Sequence, residues 1–294
     1  MILRLAKPED ARVLAALINR AFSARPKLDP PAPATNDDEN FVRGVLESNG
    51  GMVAEVDGEI LGSILFDRTR PNALGLRRVS VDPGGQNSGV ASAMVEYAES
   101  LFEVDEIWLT ARQELPKTIE FWIKRGYTIR ETEPPLVELA KPARCKITLP
   151  DLSDTEELAK KVAALLKSGD VVILTGDLGA GKTTFTQFLG AALGMRGPIT
   201  SPTFVIARTH PSLVGGPALV HVDAYRMGSA AEFADLDLDI SVDDSITVVE
   251  WGVGMAEQLS ESWLHISFSA DREATINAHG PRWLGVKLCS GLGR

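Results

Sequence analysis

Apolar positions along the chain recur at two spacings, and the changes of spacing mark its elements. Residues 1–5 form a short apolar run of strand type. Pro8, Glu9 and Asp10 open a helix in which Val13, Leu14, Leu17, Ile18 and Phe22 return at helical spacing. Residues 25–40 are rich in Pro, Asp and Asn and read as a loop. Residues 51–56 and 60–67, joined by Asp57-Gly58, form a hairpin. The pattern then predicts a strand over 74–81, a helix over 88–101, a strand over 106–111 and a helix over 116–125 ended by Gly126. A last strand over 136–139 precedes a seam marked by Pro134, Pro135 and Pro142.

The second half begins near Cys145 with a strand over 146–149, followed by a helix with Ser153 as cap and Glu156 three residues on. Val171-Val172-Ile173-Leu174 has the continuous apolar character of a buried strand. The expected organisation is α/β throughout: a domain over 1–140, a linker over 141–144 and a domain over 145–294. A length of 294 residues accommodates two cores of ordinary size.

The buried strand leads directly into Gly176-Asp177-Leu178-Gly179-Ala180-Gly181-Lys182-Thr183-Thr184, and an apolar helical stretch follows through Leu193. Strand, glycine-rich loop and helix are the context that makes GxxxxGK[ST] a triphosphate site. The glycines let consecutive N–H groups converge on a phosphate, and the helix start adds positive potential. Lys182 has the reach for the β- and γ-phosphates, and Thr183 offers a hydroxyl to Mg²⁺. Two acids stand at the ends of apolar runs, Asp223 after residues 218–222 and Glu250 after residues 246–249. In a parallel sheet both project near the phosphates. Spacing leaves open which acid fills the Walker-B role; Asp223 is read as the metal ligand and Glu250 as the group that orients water. The stretch Ser201-Pro202-Thr203-Phe204 could sense the γ-phosphate or be an ordinary turn. Residues 232–244 carry six acids and read as a solvated acidic face or loop.

Composition narrows the classes. A hydrophobic fraction of 44% with 24% charged residues is that of a soluble globular protein. A net charge of −10 argues against a broad, sequence-independent grip on nucleic acid, so any RNA is expected to be held by a partner. Cys145 and Cys289 lack CxxC spacing and a nearby histidine pattern, which predicts two reduced thiols in a cytoplasmic protein. His210, His221, His265 and His279 are scattered and read as structural or exposed. Lys7, Glu9, Asp10 and Arg12 interrupt the start in a way no signal peptide tolerates. No apolar run approaches the ~20 residues of a membrane span.

The order GDLGAGKTT, SPTF, HVDAYR and VVEWG over residues 145–294 resembles the TsaE family, the small ATPases of bacterial tRNA threonylcarbamoyladenosine biosynthesis. The resemblance implies an ATPase with Mg²⁺ that works with TsaD- and TsaB-type partners on adenosine 37 of ANN-decoding tRNAs, reaching tRNA through them. It also implies roles: Lys182 and Thr183 hold nucleotide and metal, Thr203 is switch-like, Asp223 is a magnesium ligand, and Glu250 with Trp251 forms the catalytically important pair.

In the first half, a strand ending at Val81 runs through Asp82-Pro83-Gly84-Gly85 into Gln86, Asn87, Ser88, Gly89, Val90 and Ala91, where a helix starts. Exposed N–H groups at such a start suit a pyrophosphate, although a tight turn with a helix cap has the same look. Gln86-x-x-Gly89-x-Ala91 resembles the acetyl-CoA motif of GNAT-type N-acetyltransferases, and Phe121-Trp122-x-Lys124-x-Gly126-Tyr127 is similar to that family's FYxxxGF segment. The resemblance implies a mixed sheet with flanking helices and an acetyl-CoA site. Trp122 stands where many of these enzymes place a tyrosine general acid, and an indole has no hydroxyl to protonate a departing thiolate. No carboxylate lies within 74–81, where a general base is often found. Acetyl-CoA binding is therefore better supported than transfer. Three arrangements follow: an ATPase serving tRNA modification fused to an acetyltransferase, an acetyltransferase regulated by the ATPase half, or an ATPase recruited by a non-catalytic CoA-binding module.

Overall fold

In the computed structural model, which describes residues 1–85, 88–202 and 206–292, the chain divides into two units, Met1–Lys141 and Pro142–Arg294.

The first unit runs β1 (Ile2–Leu5), α1 (Ala11–Ser23), α2 (Glu39–Ser48), β2 (Gly51–Val56), β3 (Glu59–Asp67), β4 (Ala73–Val81), α3 (Val90–Ser100), β5 (Glu106–Arg112), α4 (Pro116–Ile123), β6 (Thr128–Glu133) and β7 (Leu136–Pro142). Leu14, Leu17 and Ile18 bury the apolar stripe of α1. The sequence pattern predicts no helix between the loop and β2, yet α2 is there. Asp38 caps it by accepting the Phe41 N–H at 2.8 Å, and Val42 and Leu46, one turn apart, pack into the core with Leu14 and Ile18. Nor does it assign a strand to 128–133. As an exposed edge with no buried face, β6 carries no alternation to read. Asp57 and Gly58, both with φ positive at 53° and 83°, supply the two-residue turn between β2 and β3.

These strands form one mixed sheet in the order β1-β2-β3-β4-β5-β7-β6. β4 and β5 run parallel but pair only over Ala73–Gly75 against Glu106–Trp108. Beyond that point both strands continue without pairing to each other. A cleft lies in the gap so left.

The second unit runs β8 (Cys145–Thr148), α5 (Leu152–Leu165), β9 (Val171–Thr175), α6 (Lys182–Ala192), β10 (Ala207–His210), β11 (Ala218–Asp223), α7 (Ala230–Ala234), α8 (Asp239–Val242), β12 (Ser245–Glu250), β13 (Trp263–Phe268), β14 (Glu273–His279) and α9 (Leu288–Leu292). Its sheet order is β10-β11-β12-β9-β13-β14-β8. The four central strands, β11, β12, β9 and β13, are parallel, and antiparallel strands close both edges. From Val171 to Leu174 β9 is apolar without a break because both of its faces are covered. Val172 and Leu174 enter a core with Leu158 of α5 and Phe185 of α6, while Val171 and Ile173 enter another with Phe233 of α7. The acidic stretch 232–244 therefore hides buried Phe233, Leu238 and Val242 among its solvated acids.

Two expectations are corrected here. The cap of α5 is Asp151, not Ser153: Asp151 is extended and its carboxylate accepts the N–H groups of Ser153 and Asp154, which leaves Ser153 inside the first turn. Cys145 and Cys289 are not free thiols but a disulfide, with Cα atoms 5.1 Å apart. They are 144 residues apart, so no local spacing signals the pair; the packing of α9 beside β8 brings them together. Among the described residues no helix is long and apolar enough to cross a membrane.

Candidate functional site

The loop between β9 and α6 takes its shape from glycine. Gly176 has φ +136°, and a Cβ there would stand 2.4 Å from the carbonyl oxygen of Phe268, so only glycine fits the entry to the loop. Gly181, with φ +106°, turns the chain into α6 as its N-cap. Lys182 follows at once, and its ammonium donates to the carbonyls of Gly176 at 2.7 Å and Asp177 at 2.9 Å, spanning the loop it belongs to. Burial disfavours the ammonium and lowers its pKa, with Glu250, Asp223 and Asp177 pulling the other way. Leu178, Gly179, Ala180 and Thr184 complete the loop and first turn. Leu178 is 86% exposed, as a residue without a packing role would be.

The parallel register brings the acids to this loop. Asp223 ends β11 opposite Glu250, which ends β12 opposite Leu174 of β9. Of the two acids, Glu250 touches the loop: the Thr183 hydroxyl lies 2.9 and 3.0 Å from its two carboxylate oxygens. A hydroxyl that gives its proton to Glu250 keeps its lone pairs for a cation. Asp223 accepts from the Ser201 hydroxyl at 3.2 Å and the Tyr225 N–H at 3.1 Å. Both carboxylates are buried. The Thr183 hydroxyl and the Asp223 carboxylate offer oxygen donors only, which fits magnesium shared with phosphate oxygens.

Two further residues join them. His221, fully buried on β11, has Nε2 2.9 Å from Glu250 Oε1. Because a carboxylate only accepts, Nε2 carries the proton. Nδ1 is buried without a hydrogen-bond partner among the described residues. His221 stands two residues before Asp223, on the same face of the strand. Trp251 has φ +63°, a costly backbone for a bulky residue, and this places its indole under the Lys182 ammonium at 3.9 Å and against Tyr225 at 5.2 Å. Thr203 lies outside the described residues.

Beside the loop is a cavity of about 570 Å³ that the sequence did not suggest. Leu152 and Thr155 of α5, Gly181 and Thr184 of α6, and Phe268 and Arg272 around the β13–β14 turn line it. It opens on the flank of the phosphate loop.

In the first unit a cleft of about 730 Å³ occupies the gap between β4 and β5. Val81, Gly89, Val90 and Ala91 are in its lining, and Gly89 caps α3 with φ +82°. Ser88 precedes this cap; Gln86 and Asn87 lie outside the described residues. Trp122 is almost fully buried and stacks edge-on between Phe121 and Tyr127. The hydroxyl of Tyr127 is spent on Glu99 at 2.8 Å, and burial raises its pKa. The described lining contains no Asp, Glu or Tyr.

The parallel sheet with its glycine-rich loop and paired acids defines a P-loop ATPase half, and the split mixed sheet defines an acyltransferase-type half. Residues 149–277 match the family described as threonylcarbamoyl adenosine biosynthesis protein TsaE, and residues 14–127 match the acetyltransferase (GNAT) family. The tRNA threonylcarbamoyladenosine biosynthesis protein TsaE of Streptomyces coelicolor is 54% identical over 136 residues, covering 43% of this chain and 92% of that protein. The TsaE of Bacillus subtilis is 39% identical over 145 residues, covering 48% of this chain and 89% of that protein. Among solved structures, Bacillus subtilis YdiB is 32% identical, covering 51% of this chain and 93% of its own, with a TM-score of 0.38. The chain belongs to the TsaE family and carries a GNAT acetyltransferase domain in front of its TsaE domain.

Proposed function

We propose that the second unit hydrolyses Mg²⁺·ATP to serve threonylcarbamoylation of adenosine 37 in ANN-decoding tRNAs. It acts with TsaD- and TsaB-type partners that hold the tRNA, in the cytoplasm. The observation that carries this reading is the junction of Thr183 with Glu250. The loop from Gly176 to Thr184 wraps the phosphates, and Lys182 leaves its own loop carbonyls to pair with them. The Thr183 hydroxyl and Asp223 would hold magnesium, which supplies charge neutralisation at the phosphates. Glu250 orients the attacking water, His221 fixes the carboxylate that does so, and Trp251 positions Lys182. Thr203 is assigned the switch role on resemblance alone. Leu152, Thr184 and Arg272 face the nucleoside.

In the first unit we assign Val81 and residues 86–91 to acetyl-CoA. A cleft whose described lining has no carboxylate or phenol favours binding over transfer, so a CoA-dependent docking module is the second reading.

The test is reconstitution of the full chain with its transferase partners and tRNA, measuring the modified adenosine in tRNA hydrolysates. Lys182→Ala is expected to abolish both ATP binding and the modification. Unchanged modification with Lys182→Ala would sink the assignment.

A further inference from the structure

The cleft between β4 and β5 is cationic in a protein of net charge −10. Arg25, Arg77, Arg78, Arg112, Lys117 and Arg125 line it. Three of these charges are answered within the fold: Arg77 by Asp67 at 3.7 Å, Arg78 by Asp37 at 2.5 Å and Arg112 by Glu114 at 2.5 Å. Arg125 hydrogen-bonds the Ser92 hydroxyl in the first turn of α3 and the Phe121 carbonyl. It therefore sits with the helix start assigned to the CoA phosphates.

Arg25 is different. It follows α1, and its Nη2 donates to the Val79 carbonyl at 3.1 Å, on the part of β4 that has left β5. Its guanidinium lies 3.7 Å from the centre of the Phe22 ring. Among the described residues no carboxylate stands within ion-pairing distance of it. Burial lowers its pKa, so the charge is held where water solvates it poorly. A desolvated cation without a counter-ion is costly, and one carbonyl uses only a fraction of a guanidinium's five donors. The remaining planar fork matches a carboxylate in bidentate fashion. Around it, Leu28 and Ala34 of the α1–α2 segment give apolar walls. The groups assigned to the phosphates come from the start of α3 and from Arg125 after α4, so Arg25 belongs to a different element of the cleft lining.

We propose that Arg25 is the subsite for a carboxylate on the acceptor, so that the cleft takes an amine whose own molecule bears a carboxylate. This rests on the acyl-CoA reading of the cleft. In the transfer the amine nitrogen forms a bond to the thioester carbonyl carbon and the carbon–sulfur bond breaks. The proton lost by nitrogen ends on the CoA sulfur through water, with no change of oxidation state.

The experiment uses the full chain with acetyl-CoA and acceptors in matched pairs. One arm sets free amino acids against their amides, and the other sets short peptide amides with aspartate against asparagine at the second position. Release of CoA thiol is followed, and acetyl-CoA and acceptor binding are measured by calorimetry. The carboxylate member of at least one arm is expected to be favoured about tenfold or more. Arg25→Gln is expected to bring that ratio near one, Arg25→Lys to restore part of it, and acetyl-CoA affinity to stay the same. The responding arm identifies the source of the carboxylate. Equal use of both members, or a preference that survives Arg25→Gln, overturns the proposal. If no thiol is released, binding of the same acceptors to the CoA-saturated chain decides. Loss of carboxylate binding in Arg25→Gln supports the subsite, and no binding or unchanged binding overturns it. A chain that does not bind acetyl-CoA at all removes the acyl-CoA reading, and the proposal with it.

Discussion

The hydroxyl of Thr183 lies between the two carboxylate oxygens of Glu250, at 2.9 and 3.0 Å, on strands and helices 67 residues apart in the chain. This contact joins the phosphate loop to the end of the neighbouring strand, and the proposed reading gives the two acids different roles. Glu250→Gln keeps the shape and the contact with Thr183 but removes the charge. ATP binding is expected to stay within a few-fold and hydrolysis to fall about 10²–10⁴-fold. Asp223→Asn is expected instead to raise the Mg²⁺ concentration needed for half-maximal nucleotide binding. A magnesium titration of both variants with a fluorescent ATP analogue distinguishes the two roles.

In the proposed reading His221 acts through Glu250. His221→Ala removes the donor to Oε1 and leaves a cavity beside a buried carboxylate, so hydrolysis is expected to fall by about tenfold or more with nucleotide affinity nearly kept. A structural role alone would lower stability and leave kcat intact in the folded fraction. Steady-state kinetics beside a thermal melt decide.

Trp251 reports on Lys182. Nucleotide phosphates draw the ammonium off the indole, so Trp emission is expected to change on ATP addition and to remain still in Trp251→Phe. Because a cation over a desolvated ring is worth about 2 kcal/mol, Trp251→Ala should also alter nucleotide affinity measurably. A fluorescence titration of the three proteins checks both statements.

Stability should fall with acid. Burial lowers the pKa of His210 and of His265, whose Nε2 is 2.7 Å from the Thr175 hydroxyl. His221 and Arg208 lower that of His210 further, while Glu257 opposes the shift at His265 and Arg144 adds to it. The folded state binds fewer protons than the unfolded one just below the ordinary value of 6.5, so stability there rises with pH. The contribution is fully present above pH 6.5 and is lost as pH falls through the folded values. Melts from neutral to mildly acidic pH are expected to show the ATP-responsive transition moving down, and His265→Gln should flatten part of that slope.

The Cys145–Cys289 bridge closes a loop of 144 residues. Loop-closure entropy predicts that its reduction or Cys289→Ser costs about 3–5 kcal/mol. Neither cysteine lines the phosphate-loop cavity, so ATP affinity is expected to be kept. Denaturant unfolding with and without reductant measures the first, and nucleotide titration the second.

The phosphate loop was legible because its chemistry is local. Gly176, Gly181, Lys182 and Thr183 are required within one turn of chain, and the apolar run before them is long enough to be a buried strand. The hairpin at Asp57-Gly58 and the stripe of α1 were legible for the same reason. What escaped was either without a pattern or distant. β6 has no buried face, α2 starts inside a loop-like composition, and the cap of α5 lies two residues earlier because the Asp151 carboxylate accepts the N–H groups of Ser153 and Asp154.

By itself, then, the sequence determined that a strand, a glycine loop and a helix would make a triphosphate cradle, and that an acyl-CoA type domain precedes it. Only the tertiary structure decided that Glu250 rather than Asp223 meets Thr183, that His221 hydrogen-bonds Glu250, and that Arg25 faces a cleft with no acid among its described lining residues. The physical reason is the order of the strands. β11 and β12 come after β9 in the chain, yet β12 lies directly beside it and β11 one strand further, while β4 and β5 part after three residues. Which side chains share a site is fixed by hydrogen-bonded register across the sheet, and no spacing along the chain encodes it.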